Sequence, residues 1–425
     1  MKKLFFFVFV AVLTTITVGQ NINGRITSSV YSFQRFNTLT SSDTYLRAYQ
    51  TLFLNINKAN VSLRTRVNFE GDIINPLDND PKLRFYNLYV EARKLFNVAT
   101  VKIGRQSLFN SVAGGLYDGI NLKLKFSKYS LTAYYGGNVP AYQKLKFTDD
   151  WSNDFVLGGK LNIYPIDHLL IGLSYVNKNF RPVEYVTTRL DKNLNPISLL
   201  IQKNSNQFEF LSGKVNYELK NVFRIYTKLD YDLNFTTISK FEISGRYQQS
   251  RNLGISVYYN FREPRIRYNS IFSVFNYGNS KEIEGGVDYK INKIFTVIGK
   301  FGNVTYKSDN SQRLTLGVNS NYGSINYRKT FGYAGELDAI SIFGARSFLE
   351  GFLTPSLGLA YTNYKLSQNA EKNSIISLLT GINIKPWKYW SCDLQGQFFN
   401  NKIYKDDFRL FFKINHWFNS NLNIF

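Results

Sequence analysis

The chain has 425 residues, a formal net charge of +22, 30 Tyr and 36 Phe against a single Met, and a mean hydropathy of −0.24. A helical membrane protein is excluded, because a spanning helix needs about 20 consecutive apolar residues and nothing beyond the N-terminal segment approaches that. A lone cysteine, Cys392, excludes intramolecular disulfides and thiolate metal sites.

The N-terminus reads as a secretory address. Lys2 and Lys3 precede an unbroken apolar run over 4–13 (LFFFVFVAVL), which 14–18 (TTITV) trails. Thr17 and Gly19 place small residues where a signal peptidase reads, so residues 1–19 are expected to be cleaved and 20–425 to form a single unit. A retained anchor helix is the competing reading, opposed by the shortness of the run and by 20–24 (QNING) following at once. Loss of Lys2 and Lys3 takes the charge from +22 to +20. An exported chain does not meet nucleic acid. The basic excess therefore points to anionic lipid headgroups, lipopolysaccharide phosphates and anionic solutes.

From Gly24 onward the pattern has period two. In 61–69 (VSLRTRVNF), Val61, Leu63, Val67 and Phe69 share one face, while Ser62, Arg64, Arg66 and Asn68 share the other. Side chains of a strand alternate between faces, so this describes one greasy and one watery side. The same alternation recurs in 121–126 (NLKLKF), 222–231 (VFRIYTKLDY), 240–247 (KFEISGRY), 252–261 (NLGISVYYNF) and 408–418 (FRLFFKINHWF). Short turns are expected at 57–60, 94–97, 127–128, 165–168, 220–221, 250–251, 292–293 and 385–388. Longer polar connections fall at 71–82, 106–116, 137–153, 179–206 and 366–373. The rhythm predicts an all-β fold: a closed, transmembrane, antiparallel up-and-down β-barrel with an even number of strands, about 22, or 18 to 20 if the weak segments near 262–281 and 333–354 are loops. No fixed-period repeat supports a propeller or solenoid. Phe53, Phe96, Phe126, Tyr129, Tyr164, Phe223, Phe295, Trp387, Tyr389 and Trp390 flank the short turns and are expected to form an interfacial girdle. Lys58, Lys94, Lys128, Lys220, Lys293, Lys385 and Lys388 lie beside them, within reach of headgroups.

If the apolar phase faces lipid, the opposite phase lines the lumen. It carries Arg64, Arg66, Arg93, Lys102, Lys123, Lys125, Lys214, Arg224, Lys228, Lys240, Arg246 and Arg328, with Arg409 and Lys413 in the last strand. Inward acids are fewer: Glu70, Glu91, Glu218, Asp230, Glu242, Glu282, Glu284 and Asp288. Rings of Lys and Arg favour anions; the alternative is that Arg and Glu pair across strands and fill a closed lumen.

Catalytic patterns are missing. The two histidines, His168 and His416, lie at a turn and on a lipid face, and neither G-x-S-x-G nor H-E-x-x-H occurs. Asp78, Asn79 and Asp80 lack the Gly and Glu of a calcium loop, and Asp149–Asp150 and Asp406–Asp407 read as solvated turns. No metal or cofactor is expected. The expected activity is passive diffusion or export of small or polymeric hydrophilic solutes with an anion bias. The alternative is a non-conducting structural or surface-binding barrel, occluded by connections such as 179–206.

The C-terminal alternation of Phe408, Leu410, Phe412, Ile414 and Phe418, ending on Phe425, resembles the terminal signal by which outer-membrane porins engage the barrel assembly machinery. Leu422 and Ile424 run out of phase with Phe425, so either Phe418 or Phe425 is the signal. The stretch 99–124 (ATVKIGRQSLFNSVAGGLYDGINLKL) resembles alginate-export-type porins at Gly104, Arg105, Gln106, Tyr117, Asp118 and Gly119. That resemblance implies a basic lumen passing anionic polysaccharide. Arg105 falls in the apolar phase of its strand, so it lies past the lipid zone or is re-aimed by a bulge at Gly104.

Overall fold

The computed structural model describes residues 20–36, 41–76, 80–108, 112–140, 145–190, 195–203, 207–264, 278–307, 309–332, 336–365, 369–402 and 406–422. The expected signal segment and Phe425 lie outside these. The first nine strands are β1 (Gln20–Phe36), β2 (Ser42–Lys58), β3 (Val61–Asp72), β4 (Lys82–Leu95), β5 (Ala99–Leu108), β6 (Gly115–Lys125), β7 (Tyr129–Val139), β8 (Phe155–Ile163) and β9 (Leu169–Asn179). A self-paired hairpin follows, β10 (Val183–Leu190) with β11 (Pro196–Lys203). Then come β12 (Gln207–Leu219), β13 (Phe223–Asp232), β14 (Thr237–Gln248), β15 (Leu253–Arg262), β16 (Ser280–Lys290), β17 (Phe295–Tyr306) and β18 (Asp309–Ser320). The last six are β19 (Gly323–Gly332), β20 (Glu336–Ala345), β21 (Leu353–Lys365), β22 (Asn373–Trp387), β23 (Trp390–Asn401) and β24 (Asp407–Leu422).

Twenty-two of these strands form one antiparallel sheet, and β10 and β11 form a separate sheet of two. The large sheet closes on itself: β24 pairs with β1 from Gln20↔Leu422 to Ser32↔Leu410. Closure leaves no edge of unpaired N–H and C=O groups, the condition for crossing hydrocarbon as strands. The wall is dressed accordingly. Val257 and Leu357 are 55% and 57% exposed. Ile120, Leu131, Leu173, Leu316, Leu359 and Phe412 share the same outward phase and are also exposed. A surface of that kind is stable against lipid, not water. The chain is therefore a membrane-spanning barrel of the outer-membrane type.

All the expected short turns sit at one end of the barrel. Two further hairpins there escaped the reading of the sequence, at 321–322 and 346–352. Phe96, Phe126, Tyr129, Tyr164, Phe223, Phe295, Trp387, Tyr389 and Trp390 are exposed at that end, as a girdle requires. Phe53 is the exception. It pairs with Arg25 and Arg66 in the inward phase, because it stands five residues above its turn on the wrong parity for lipid. At the other end the connections are uneven: 73–81, 109–114 and 140–154 are long, whereas 233–236 is short. The connection 179–206, expected to be irregular, contains the hairpin β10–β11. The segment 333–354 supplies β20, while 265–277 lies outside the described residues. The final strand continues past Phe418 and pairs with β1 without a break to Leu422. Asp407 is not a solvated turn acid: it opens β24 on the inward face, 1% exposed.

Candidate functional site: the lumen wall

Strand alternation, carried from strand to strand by the pairing register, decides which side chains meet the lumen. Arg64, Arg66, Arg93, Lys102, Lys123, Lys125, Lys214, Arg224, Lys228, Lys240, Arg246 and Arg328 all fall in the phase opposite the exposed apolar residues. They do not behave alike. Glu91 is shared by Arg64 (Nε to Oε2, 3.0 Å) and Lys102 (Nζ to Oε1, 3.5 Å). Asp230 holds Lys228 at 3.1 Å, Glu242 holds Lys240, and Asp288 takes Arg246 in a two-pronged pair at 2.6 and 2.8 Å. Arg66, Arg93, Lys123, Lys125, Lys214, Arg224 and Arg328 have no carboxylate within 4.0 Å among the described residues. Arg93 donates to Ser62 Oγ instead, at 2.9 Å.

The inward acids are nearly all engaged. Glu70 holds Arg84 (2.9 Å), Glu284 holds Lys300 (3.2 Å) and Arg313 (2.7 Å), and Glu282 also holds Arg313. In the closing strands Asp393 holds Lys413 at 3.0 Å and Asp407 holds Arg409 at 2.7 Å. Only Glu218 of the expected inward acids forms no ion pair among the described residues. The two sequence-based alternatives are thus both present: carboxylates fill part of the wall with ion pairs, and a positive remainder is left over. Part of that remainder faces other cations across β8, β12 and β13. There Lys214 stands opposite Lys228 in register, with Lys160 against its ammonium.

Lys160, Lys300, Arg313 and Arg25 also face inward, though the sequence did not single them out. Lys160 follows Gly158 and Gly159, which carry no side chain to show the alternation, and Arg25 sits in the weakly patterned 20–29 (QNINGRITSS).

Residues 112–114, just before β6, lie against the inner face of β9 and β12. Ala113 packs on Val176 and Phe210, with Leu108, Val112 and Phe208 around them. Lys178 donates to Gly114 O at 3.0 Å. Beside this contact Tyr117, Tyr134 and Val156 form a second buried inward cluster. Residues 112–114 therefore take up space inside the bore at this level.

The six motif residues come together, because β5 and β6 pair Gly104↔Gly119, Arg105↔Asp118 and Gln106↔Tyr117. Gly104 has φ +128°, and a Cβ on Gly119 would fall 2.1 Å from Tyr135 O. Only glycine permits that curvature and that approach. Tyr117 and Gln106 face inward: Gln106 Nε2 donates to Gly119 O (3.1 Å), and Asn121 Nδ2 donates to the Tyr117 hydroxyl (3.2 Å). Arg105 keeps its outward phase with no shift of register at Gly104. It is nonetheless buried, because residues 145–151 lie over the outside of the wall there. Arg105 forms a two-pronged pair with Asp118 at 2.8 and 2.9 Å and donates to Lys146 O at 3.1 Å; Asp118 accepts from Thr148 N at 2.9 Å. Tyr135 donates to Trp151 O at 2.9 Å, tying down the far end of the flap. At its return to the barrel, burial pushes the Asp154 carboxyl upward, opposed by the Asn138 amide bonded to it at 2.7 Å.

His416 is outward and lies 4.3 Å from the Trp390 ring, and His168 occupies a short turn. Among the described residues no His, Cys, Asp and Glu group gathers as metal ligands would.

No family model matches the chain, and no curated protein does. Among solved structures it is similar to Acinetobacter baumannii OccAB3, at 12% identity over 94% of this chain and 99% of that one, TM-score 0.45. Pseudomonas aeruginosa OpdK with vanillate matches at 8% identity over 94% and 99%, TM-score 0.44. A BenF-like porin from Pseudomonas fluorescens Pf-5 matches at 8% identity over 94% and 99%, TM-score 0.41. Identities and TM-scores at this level say nothing of solute or selectivity.

Proposed function

We propose that this outer-membrane porin-like barrel is a channel through which hydrophilic solutes diffuse passively, with a bias toward anions. The observation that supports the bias is the inward remainder: among the described residues, seven of the expected lumen cations have no carboxylate within 4.0 Å, while the expected inward acids, Glu218 apart, are in ion pairs. Fixed positive charge on a low-dielectric wall lowers the cost of admitting a negative species. Reversal potential in a planar bilayer under a potassium chloride gradient tests this. Chloride preference is expected, weakening from about 0.1 M to about 1 M salt as the screening length shrinks. Cation preference would refute the bias.

A second reading is favoured by the β5–β6 loop packed against the lumen wall: a barrel that does not conduct. Absence of single-channel events at any voltage would select it. In either case the lysines and rings at the short-turn end suit contact with anionic headgroups, and Phe418, whose ring lies over Gly24 at the β1–β24 seam, is the residue proposed to engage the assembly machinery.

A further inference from the structure

Most inward arginines with a recorded partner are held by carboxylates: Arg64, Arg84, Arg246, Arg313 and Arg409. Two are held by rings instead. Arg25 and Arg66 occupy the strands on either side of Phe53 and pair with it in register, Arg25↔Phe53↔Arg66. Their guanidinium carbons lie 4.7 and 4.8 Å from the Phe53 centroid, and Arg66 is also 5.0 Å from the Tyr86 ring. Trp417 continues the level on β24, in register with Arg25.

A guanidinium laid on an aromatic face keeps its N–H groups in its own plane, pointing past the ring edge. The ring fixes its orientation and cancels no charge. Neither arginine has a carboxylate within 4.0 Å among the described residues, and Arg66 Nε is buried without a hydrogen-bond partner. The level below, toward the short-turn end, is asparagine on β1 and β2, and on β3 it is Arg64, whose charge is taken by Glu91. Asn21 donates to Asn419 (2.7 Å) and Asn421 (2.8 Å), Asn23 to Asn21 (2.6 Å), and Asn55 to Asn23 (3.1 Å). Nothing in that asparagine cluster competes for the two cations.

We propose that Arg25 and Arg66, clamped on Phe53, form an oxyanion-binding station on the lumen wall, which takes the carboxylate or phosphate group of a passing solute. This rests on the channel reading above and adds a residence point to it. Bidentate N–H geometry suits both oxyanions and distinguishes them from chloride, which offers no pair of oxygens.

The test uses the full barrel in planar bilayers, with chloride current recorded while acetate or inorganic phosphate is added on the short-turn side. Block by either oxyanion is expected in the parent protein. The double variant Arg25→Gln/Arg66→Gln should raise the half-blocking concentration by about tenfold, the value of one charge-assisted hydrogen bond. Arg25→Lys/Arg66→Lys keeps the charge but loses the fork, so it should weaken block with the reversal potential unchanged; Phe53→Leu should weaken it through lost clamping. Lys388→Gln, on a short turn outside the bore, should leave block as it was. A heat-modifiable band on a gel verifies that each variant has assembled. Chloride preference in the parent with no block by acetate or phosphate overturns the station and spares the channel, as does block indifferent to both double variants. Loss of chloride preference in the parent itself overturns the channel reading instead.

Discussion

Arg105 and Asp118 show how one side-chain pair anchors a long connection. Both are about 1% exposed, on the outward face, sealed by 145–151. Two charges out of water are tolerated because each is also hydrogen-bonded to the flap backbone; removing one partner from such a pair typically costs about 3–5 kcal/mol. Asp118→Asn should therefore release the flap, seen as new protease cleavage within 145–151 and altered Trp151 fluorescence, with the barrel still heat-modifiable. An uncut flap would mean that Tyr135 and Trp151 hold it unaided. The same residues mark where sequence reasoning stopped. The parity of Arg105 was legible and correct, but what covered it was not, since 137–153 has no period to say on which side of the wall it lies. Phe53 misled for a related reason: an aromatic near a turn suggests a girdle, and only the register through Arg25 and Arg66 places it inside.

Among elements, the strands were the most readable because their parity is repeated many times over. In 121–126 (NLKLKF) the alternation alone separates Leu122 and Leu124 from Lys123 and Lys125, and β6 keeps that separation. Where glycines interrupt, as at Gly158 and Gly159 before Lys160, the signal fails. The loops were legible in position and not in path. Residues 112–114 of the β5–β6 connection bear on conduction. Ala113→Glu would press a carboxylate onto Val176 and Phe210, a burial that costs several kcal/mol unless the loop lets go. Single-channel conductance should rise in that variant, and unchanged conductance would show that the loop does not limit flow. The hairpin β10–β11 pairs only with itself. Replacing 183–203 by a short flexible linker should leave an assembled, heat-modifiable barrel; failure to assemble would reveal a contact essential to the wall.

For the whole molecule, two surfaces of opposite character share each strand. The outside is apolar and ringed by aromatics at the short-turn end. The inside is polar, with its acids largely spent on neighbouring cations and a positive surplus spread from β3 to β19. The connections at the looped end differ widely in length, from the short 233–236 to 140–154 and 263–279.

The seam between the first and last strands has a consequence in time. Until β24 is present, β1 carries 17 residues of bare strand with no partner on one flank, and the growing sheet has a second raw flank that moves with each added hairpin. Such flanks recruit any other extended chain they meet. No portion short of the last strand makes a watertight wall, so a prematurely ended copy would be sticky ribbon rather than a smaller conduit.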